Sequence, residues 1–121
     1  ESCLMYRFSL PPSSNRYWRV YNGRVVTSDE ARSYKDLVKM LARCSSPPVK
    51  LLTGPVKVEL TVYRARKSGD LDNFCKILLD ALQGSFYEND AQIRELHASL
   101  CDDKHDPRVE VAVTSCRQNA E

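Results

Sequence analysis

Asp70-Leu71-Asp72-Asn73 sets two carboxylates two residues apart, with Lys76 four residues after the second and Asp80 four after Lys76. Oxygen donors of this kind hold a hard divalent cation, and a nearby ammonium can neutralise a phosphate or protonate a leaving oxygen. Together they would suit metal-assisted hydrolysis of a phosphodiester. Residues two apart in a helix point about 200° away from each other, so the acids converge only if Asp70 stays extended at the cap. A third acid, Asp90, follows the same helix. To meet the others it must come back along about 20 Å of helix, as it could if the strand from Ala91 lies beside the one ending at Arg64. A plainer pattern fits the same residues. Asp is favoured at helix caps and in first turns, and Asp72, Lys76 and Asp80 at spacing four make a surface ion-pair ladder.

The elements that would carry these residues are legible in the periodicity. Leu4, Tyr6, Phe8 and Leu10 alternate with Met5, Arg7 and Ser9 as a strand does, and Pro11-Pro12 ends it before a short loop, Ser13-Ser14-Asn15. Tyr17 to Tyr21 and Arg24 to Thr27 flank Asn22-Gly23, the dipeptide suited to a tight hairpin. Thr27 and Glu30 form a capping-box pattern ahead of a helix with Tyr34, Leu37, Val38 and Leu41 on one face, closed by Ser45-Ser46-Pro47-Pro48. Val56, Val58, Leu60 and Val62 alternate with polar partners in a strand that runs into the basic exit Arg64-Ala65-Arg66-Lys67-Ser68-Gly69. A second helix is expected from Asp70 to Gln83, striped by Leu71, Phe74, Cys75, Leu78 and Leu82. Residues 91–100 and a strand through Val109, Val111 and Val113 are read as a final hairpin closed by Asp102 to Pro107. The expected fold is α+β, a single mixed β-sheet covered by two main helices, with residues 1–121 as one domain.

Composition narrows the function classes. The 121 residues are 42% apolar, enough for a packed core, and no run of about 18 apolar residues could span a membrane. No secretory signal is visible, and a start at Glu1 rather than Met reads as a trimmed N-terminus. Residues 1–67 hold 13 Lys and Arg against five Asp and Glu, a charge of +8, whereas residues 68–121 hold five against 11, a charge of −6. Such a split suits a polyanion-binding surface beside a carboxylate cluster, and it equally suits a basic and an acidic face that pair. Cys3, Cys44, Cys75, Cys101 and Cys116 lack CxxC spacing, and His97 and His105 do not complete a zinc set, so the cysteines read as reduced packing residues.

Tyr17, Trp18 and Tyr21 interleave with Arg16 and Arg19 and could stack on unpaired bases or pack within a hairpin. Phe86 and Tyr87 fit either a wedge at a DNA branch or an anchor in the core, and the core is preferred. His97 and His105 are read as a strand and a loop residue without catalytic duty.

In order along the chain, Asp70-Leu71-Asp72-Asn73-Phe74-Cys75-Lys76, Asp80-Ala81-Leu82 and Asn89-Asp90-Ala91-Gln92 strongly resemble the signature of the RusA family of Holliday-junction resolvases. So does Pro11-Pro12-Ser13-Ser14-Asn15-Arg16-Tyr17-Trp18-Arg19, and Arg108-Val109-Glu110-Val111 falls where that family has its last strand. The resemblance implies a homodimeric endonuclease, dependent on Mg²⁺ or Mn²⁺, that resolves four-way DNA junctions by paired symmetric nicks. It implies work in homologous recombination and DNA repair, in the cytoplasm of bacteria and often from prophage genes. By motif position Asp70, Asp72 and Asp90 would be the metal ligands and Lys76 the catalytic lysine, with Asn15 and Arg16 near the site or the DNA. Gly69 stands where the family often has a basic residue. Arg19, Arg64, Arg66 and Lys67 would lie on the face that meets the phosphates. Two coordinated nicks in a junction of approximate two-fold symmetry also ask for two sites related by a dyad. A nuclease for flaps or forks, and a DNA-binding module whose acids only cap a helix, are the rival readings.

Overall fold

The computed structural model describes residues 5–116, so the expectations resting on Cys3 and Leu4 lie outside the described residues. Strands β1 (Tyr6–Phe8), β4 (Val56–Arg64), β5 (Ile93–Asp102) and β6 (Arg108–Ser115) form one sheet in the order β1-β6-β4-β5. β4 pairs parallel with β5, while β6 runs antiparallel to both β4 and β1. β2 (Trp18–Tyr21) and β3 (Arg24–Thr27) make a separate hairpin. Its turn has positive φ at both Asn22 (52°) and Gly23 (75°), the twist that joins right-twisted strands, as Asn-Gly foretells.

Helices α2 (Asp29–Cys44) and α3 (Leu71–Leu82) cover one face of the sheet, with a one-turn helix α1 (Ser14–Tyr17) beside them. Alternation along β4 buries Val56, Val58, Leu60 and Val62 under the helices, together with Val109 and Val111 of β6. Tyr34, Val38 and Ala42 of α2 and Leu78, Ala81 and Leu82 of α3 meet them. Phe86 and Tyr87 lie in this core, and Phe86 packs edge-on against Tyr6 and Phe8. The α+β expectation, one mixed sheet beneath two main helices, holds.

Three local expectations are corrected. Tyr17 belongs to α1 and not to the hairpin strand; it is fully buried with Ala31 and Ile77. Ser28, not Thr27, caps α2: Thr27 is held in β3, and the Ser28 hydroxyl accepts from the Ala31 N–H and donates to the Arg16 carbonyl. β5 and β6 are not a hairpin, because β4 lies between them. Strands one place apart in a sheet are separated by about 9.6 Å, a gap five residues cross easily. The connection, residues 103–107, therefore passes over the end of β4, where Asp103 N–H donates to the Arg64 carbonyl at 2.8 Å. Arg108 fixes this crossing through Asp103 and Glu110, both at 3.0 Å, with its guanidinium 3.7 Å from the Tyr63 ring centre.

Desolvation raises the phenol pKa values of Tyr17, Tyr34 and Tyr87 well above 10, and Tyr17 is raised further by its bond to Asp80. Above about pH 10 the unfolded chain releases these protons while the folded chain keeps them, so stability is lost as pH rises. The melting temperature is expected to fall between about pH 9 and 11.5. Calorimetry across that range checks it, and an unchanged midpoint would contradict the assignment.

Candidate active site

The end of β4 leads directly into the start of α3. Arg64 holds the intervening loop: its Nε donates to Asp102 at 2.7 Å and its Nη1 to the Gly69 carbonyl at 2.8 Å. Gly69 has φ +90°, and a Cβ there would meet the Phe74 ring at 3.0 Å. A basic side chain at this position would thus be strained, which explains the glycine. Gly69→Ala is expected to destabilise the fold by roughly 1–3 kcal/mol. A lower midpoint in urea at constant m-value is the measurement, and an unchanged midpoint would show that the turn relaxes freely.

Asp70 then adopts an extended conformation, φ −98° and ψ 152°, the geometry that lets it face the same side as Asp72. Its carbonyl accepts the first helical bond, from Phe74 N–H at 3.0 Å, but its carboxylate makes no capping bond. Asp72 and Lys76 are exposed on α3. Among the described residues, neither carboxylate nor the Lys76 ammonium has a hydrogen-bond or ion-pair partner. The ion-pair ladder is not formed. Asp80 instead accepts from the Tyr17 hydroxyl at 2.5 Å and lies 3.3 Å from the Lys35 ammonium. Burial, with the Asp72 charge as the smaller cause, raises the Cys75 thiol pKa.

A cleft of about 410 Å³ opens beside the start of α3, lined among others by Pro11, Pro12, Asn15, Arg66, Asn73 and Phe74. The N-terminal Pro-Pro-Ser-Ser-Asn segment and the basic exit of β4 thus meet, although about 50 residues separate them. Arg66 and Lys67 are exposed there, whereas Arg64 is engaged in holding the loop. Arg16 is paired with Glu30 of α2, its Nε 3.1 Å from the carboxylate, and Arg19 is exposed on β2.

Asp90 lies elsewhere. β5 does run beside β4, but parallel to it, so it begins opposite Val56 and ends opposite Arg64. Asp90 therefore stands by the C-terminal end of α3, where its N–H donates to the Gln83 side chain at 3.0 Å. Asp70 and Asp72 stand at the N-terminal end. A 12-residue helix puts about 18 Å between those ends. Among the described residues, no three His, Cys, Asp or Glu side chains of the chain gather to hold a metal ion.

The residues around Asp90 have a clear structural task. Asn89 and Gln92 close a reciprocal cap on the 3-10 turn Asp90–Gln92, with Asn89 accepting from Ala91 N–H and Gln92 accepting from Asn89 N–H, both at 2.8 Å. The Gln92 amide also donates to the carbonyls of Leu52 and Gly54. Asp90 is presented at the surface on a clamped turn. Sequence reasoning missed this clamp, although the Asn89-to-Gln92 spacing is itself a capping-box signal. It also missed Asn73 and Phe74 as cleft residues, and the Tyr17–Asp80–Lys35 cluster that ties α1, α2 and α3 together.

The chain is similar to known proteins over most of its length. The model of the endodeoxyribonuclease RusA family matches residues 9–114. The crossover junction endodeoxyribonuclease of Enterobacteria phage 82 is 33% identical over 106 residues, covering 86% of this chain and 88% of its own. Proteins of the same name from Escherichia coli K12 and Shigella sonnei are 32% identical over 106 residues, with the same coverage.

Proposed function

The chain belongs to the RusA family of endodeoxyribonucleases, and from that premise we propose that it resolves four-way DNA junctions by metal-dependent phosphodiester hydrolysis, as a homodimer making paired nicks. The observation that carries the reading is the contrast along α3. Among the described residues, Asp70, Asp72 and Lys76 are free of partners beside a cleft with basic residues at its rim, while Asp80 on the same helix is bound by Tyr17 and Lys35. An ion-pair ladder would have engaged all three spaced residues.

The donor set suits Mg²⁺ or Mn²⁺. Carboxylate oxygens free of protein partners, exposed to water that can complete an octahedron, match a hard cation. Asp70 and Asp72 would hold it from one end of α3, while Asp90 of the same chain, at the other end, is out of reach of that ion. Bound there, the ion would polarise a phosphate oxygen toward attack by water. The chain's own groups do the rest. Lys76, one turn beyond Asp72, is placed to neutralise charge growing on the phosphate or to protonate the leaving 3′ oxygen. Arg66 and Lys67 bind flanking phosphates, Asn15 and Asn73 offer amide donors to the same strand, and Arg64 positions the loop. Arg16 and Arg19 extend the basic surface toward the hairpin. Work inside a bacterial cell, from a chromosomal or prophage gene, accords with phage and bacterial relatives; among the described residues no helix is long and apolar enough to cross a membrane.

The experiment is a labelled four-way junction incubated with the protein and Mg²⁺ beside a matched linear duplex, a flap and a fork. Paired nicks in the junction alone are expected. Binding without cutting in Mg²⁺ and Mn²⁺ would reduce the protein to a DNA-binding module. Affinity should fall steeply as NaCl rises, since phosphate contacts release counterions; a flat salt response would remove the basic residues from the interface.

A further inference from the structure

The cleft beside the start of α3 is lined by two kinds of residue. Pro11, Pro12, Phe74 and Ile77 are apolar, whereas Asn15 and Asn73 bring amide groups. Among the described residues neither amide has a hydrogen-bond partner, and the Ser13 hydroxyl makes no capping bond. A phosphate has no use for the apolar lining, since it is bound by cations and by N–H and O–H donors. A nucleobase uses both kinds: its flat face stacks on a ring, and its edge takes the paired donor and acceptor of an amide. The cleft volume of about 410 Å³ also suits one small molecule, such sites being about 300–1,000 Å³.

We propose that this cleft receives a single unstacked nucleobase of the cut strand, next to the phosphate that lies at Asp70 and Asp72. The inference rests on the metal-nuclease reading above and names what the site recognises besides that phosphate. Asn73 and Phe74 directly follow Asp72, so the base of a nucleotide whose phosphate lies at the acids comes within reach of the cleft. Arg66, which also lines it, supplies a cation for the charge of the same nucleotide. The cleft is held ready for its occupant. Tyr17, two residues after Asn15, is fully buried; its hydroxyl donates to Asp80 at 2.5 Å and its carbonyl accepts from Ser28 N–H at 2.9 Å. On the other side Gly69, fixed through its carbonyl by Arg64, has no Cβ to displace the Phe74 ring. A base in a linear duplex is paired and stacked, and leaving the stack is costly; it is least so where pairing is already broken, as at a branch point. The cleft therefore favours branched DNA over linear duplex through one base, in addition to any recognition of overall shape.

The test uses the full-length protein and immobile four-way junctions that carry 2-aminopurine at each nucleotide around the branch in turn. With Mg²⁺ withheld, binding is expected to raise the emission severalfold at one position, where the base has left the stack. Asn73→Ala and Phe74→Leu, compared at saturating protein, are expected to remove more than half of that rise. No rise, a rise spread evenly around the branch, or one that the variants keep would overturn the inference, because the junction has then opened without seating a base. With Mg²⁺ restored, four junctions that differ only in that base should be cut at rates spanning about tenfold, as for one paired amide contact, and Asn73→Ala should narrow the span to about twofold. Loss of a side chain that only supports the fold would slow all four alike and leave the span. Equal parent rates, or a span that survives Asn73→Ala, overturn the inference too. Failure of the underlying nuclease reading looks different: the localised emission rise appears in the metal-free complex, yet no junction is cut in Mg²⁺ or Mn²⁺.

Discussion

Asp72→Asn is expected to abolish junction cleavage, lowering the rate roughly a thousand-fold, equivalent to about 4 kcal/mol of barrier, while the protein still folds and binds. Asp72 is exposed and has no partner among the described residues, so an amide of the same shape disturbs no packing and orphans no donor. What it removes is one negative oxygen from a set that must hold a divalent cation and share its charge with a phosphate. Binding should be unchanged or tighter, because a carboxylate that repels the phosphates is gone. If Asp72 were only half of a helical ion pair, the same change would cost about 0.5 kcal/mol of stability and nothing in chemistry. Single-turnover cleavage and a gel-shift titration on one preparation separate the two, and full cleavage by the variant would return the acids to a purely structural role.

The second large effect is on stability. Phe86→Ala should cost roughly 3–5 kcal/mol, as expected when a buried aromatic ring is cut back to a methyl group. Phe86 is 2% exposed and touches Tyr6 and Phe8 edge-on, with ring centres 5.4 and 5.9 Å away. Its carbonyl also accepts from Leu52 N–H at 3.0 Å, so the side chain anchors the segment leading to Asp90. Against a total stability of about 5–15 kcal/mol, the variant should be partly unfolded at moderate temperature. Chemical denaturation gives the number. A loss below about 1 kcal/mol, with junction affinity falling instead, would favour the wedge role over the core.

These two residues also mark what the sequence reveals and what it conceals. The helices, the central strand and the Asn22-Gly23 hairpin are local patterns: apolar spacing of 3.6 or 2, and a dipeptide that accepts positive φ. Their boundaries came close, with α3 expected at Asp70 to Gln83 and found at Leu71–Leu82. The extended Asp70 followed from asking how two acids at spacing two could converge. Concealed were features decided by distant parts of the chain. Asp80 binds Tyr17, 63 positions away, and no helical spacing hints at this. Residues 103–107 have the length of a hairpin loop and the chemistry of one, yet they bridge strands that do not touch. The position of Asp90 depends on strand direction, which β5 alone does not encode: parallel and antiparallel neighbours read alike in side-chain alternation. The motif acids were legible as chemistry and illegible as geometry.

The strand order has a consequence for how the chain must come together. Both neighbours of β4 are made after it, and β1, the first strand, waits for β6, the last. Among the described residues, the strand pairing available up to Arg64 is the β2–β3 hairpin, and a two-stranded hairpin alone is marginal in water. A ribosome that has released the first half therefore holds an alternating valine strand with no mate. Nucleation has to wait for α3 and β5 to close the crossover on β4, a long-range event that slows folding. Truncation anywhere before β6 leaves a β4 edge open, and such fragments should aggregate rather than form a smaller fold.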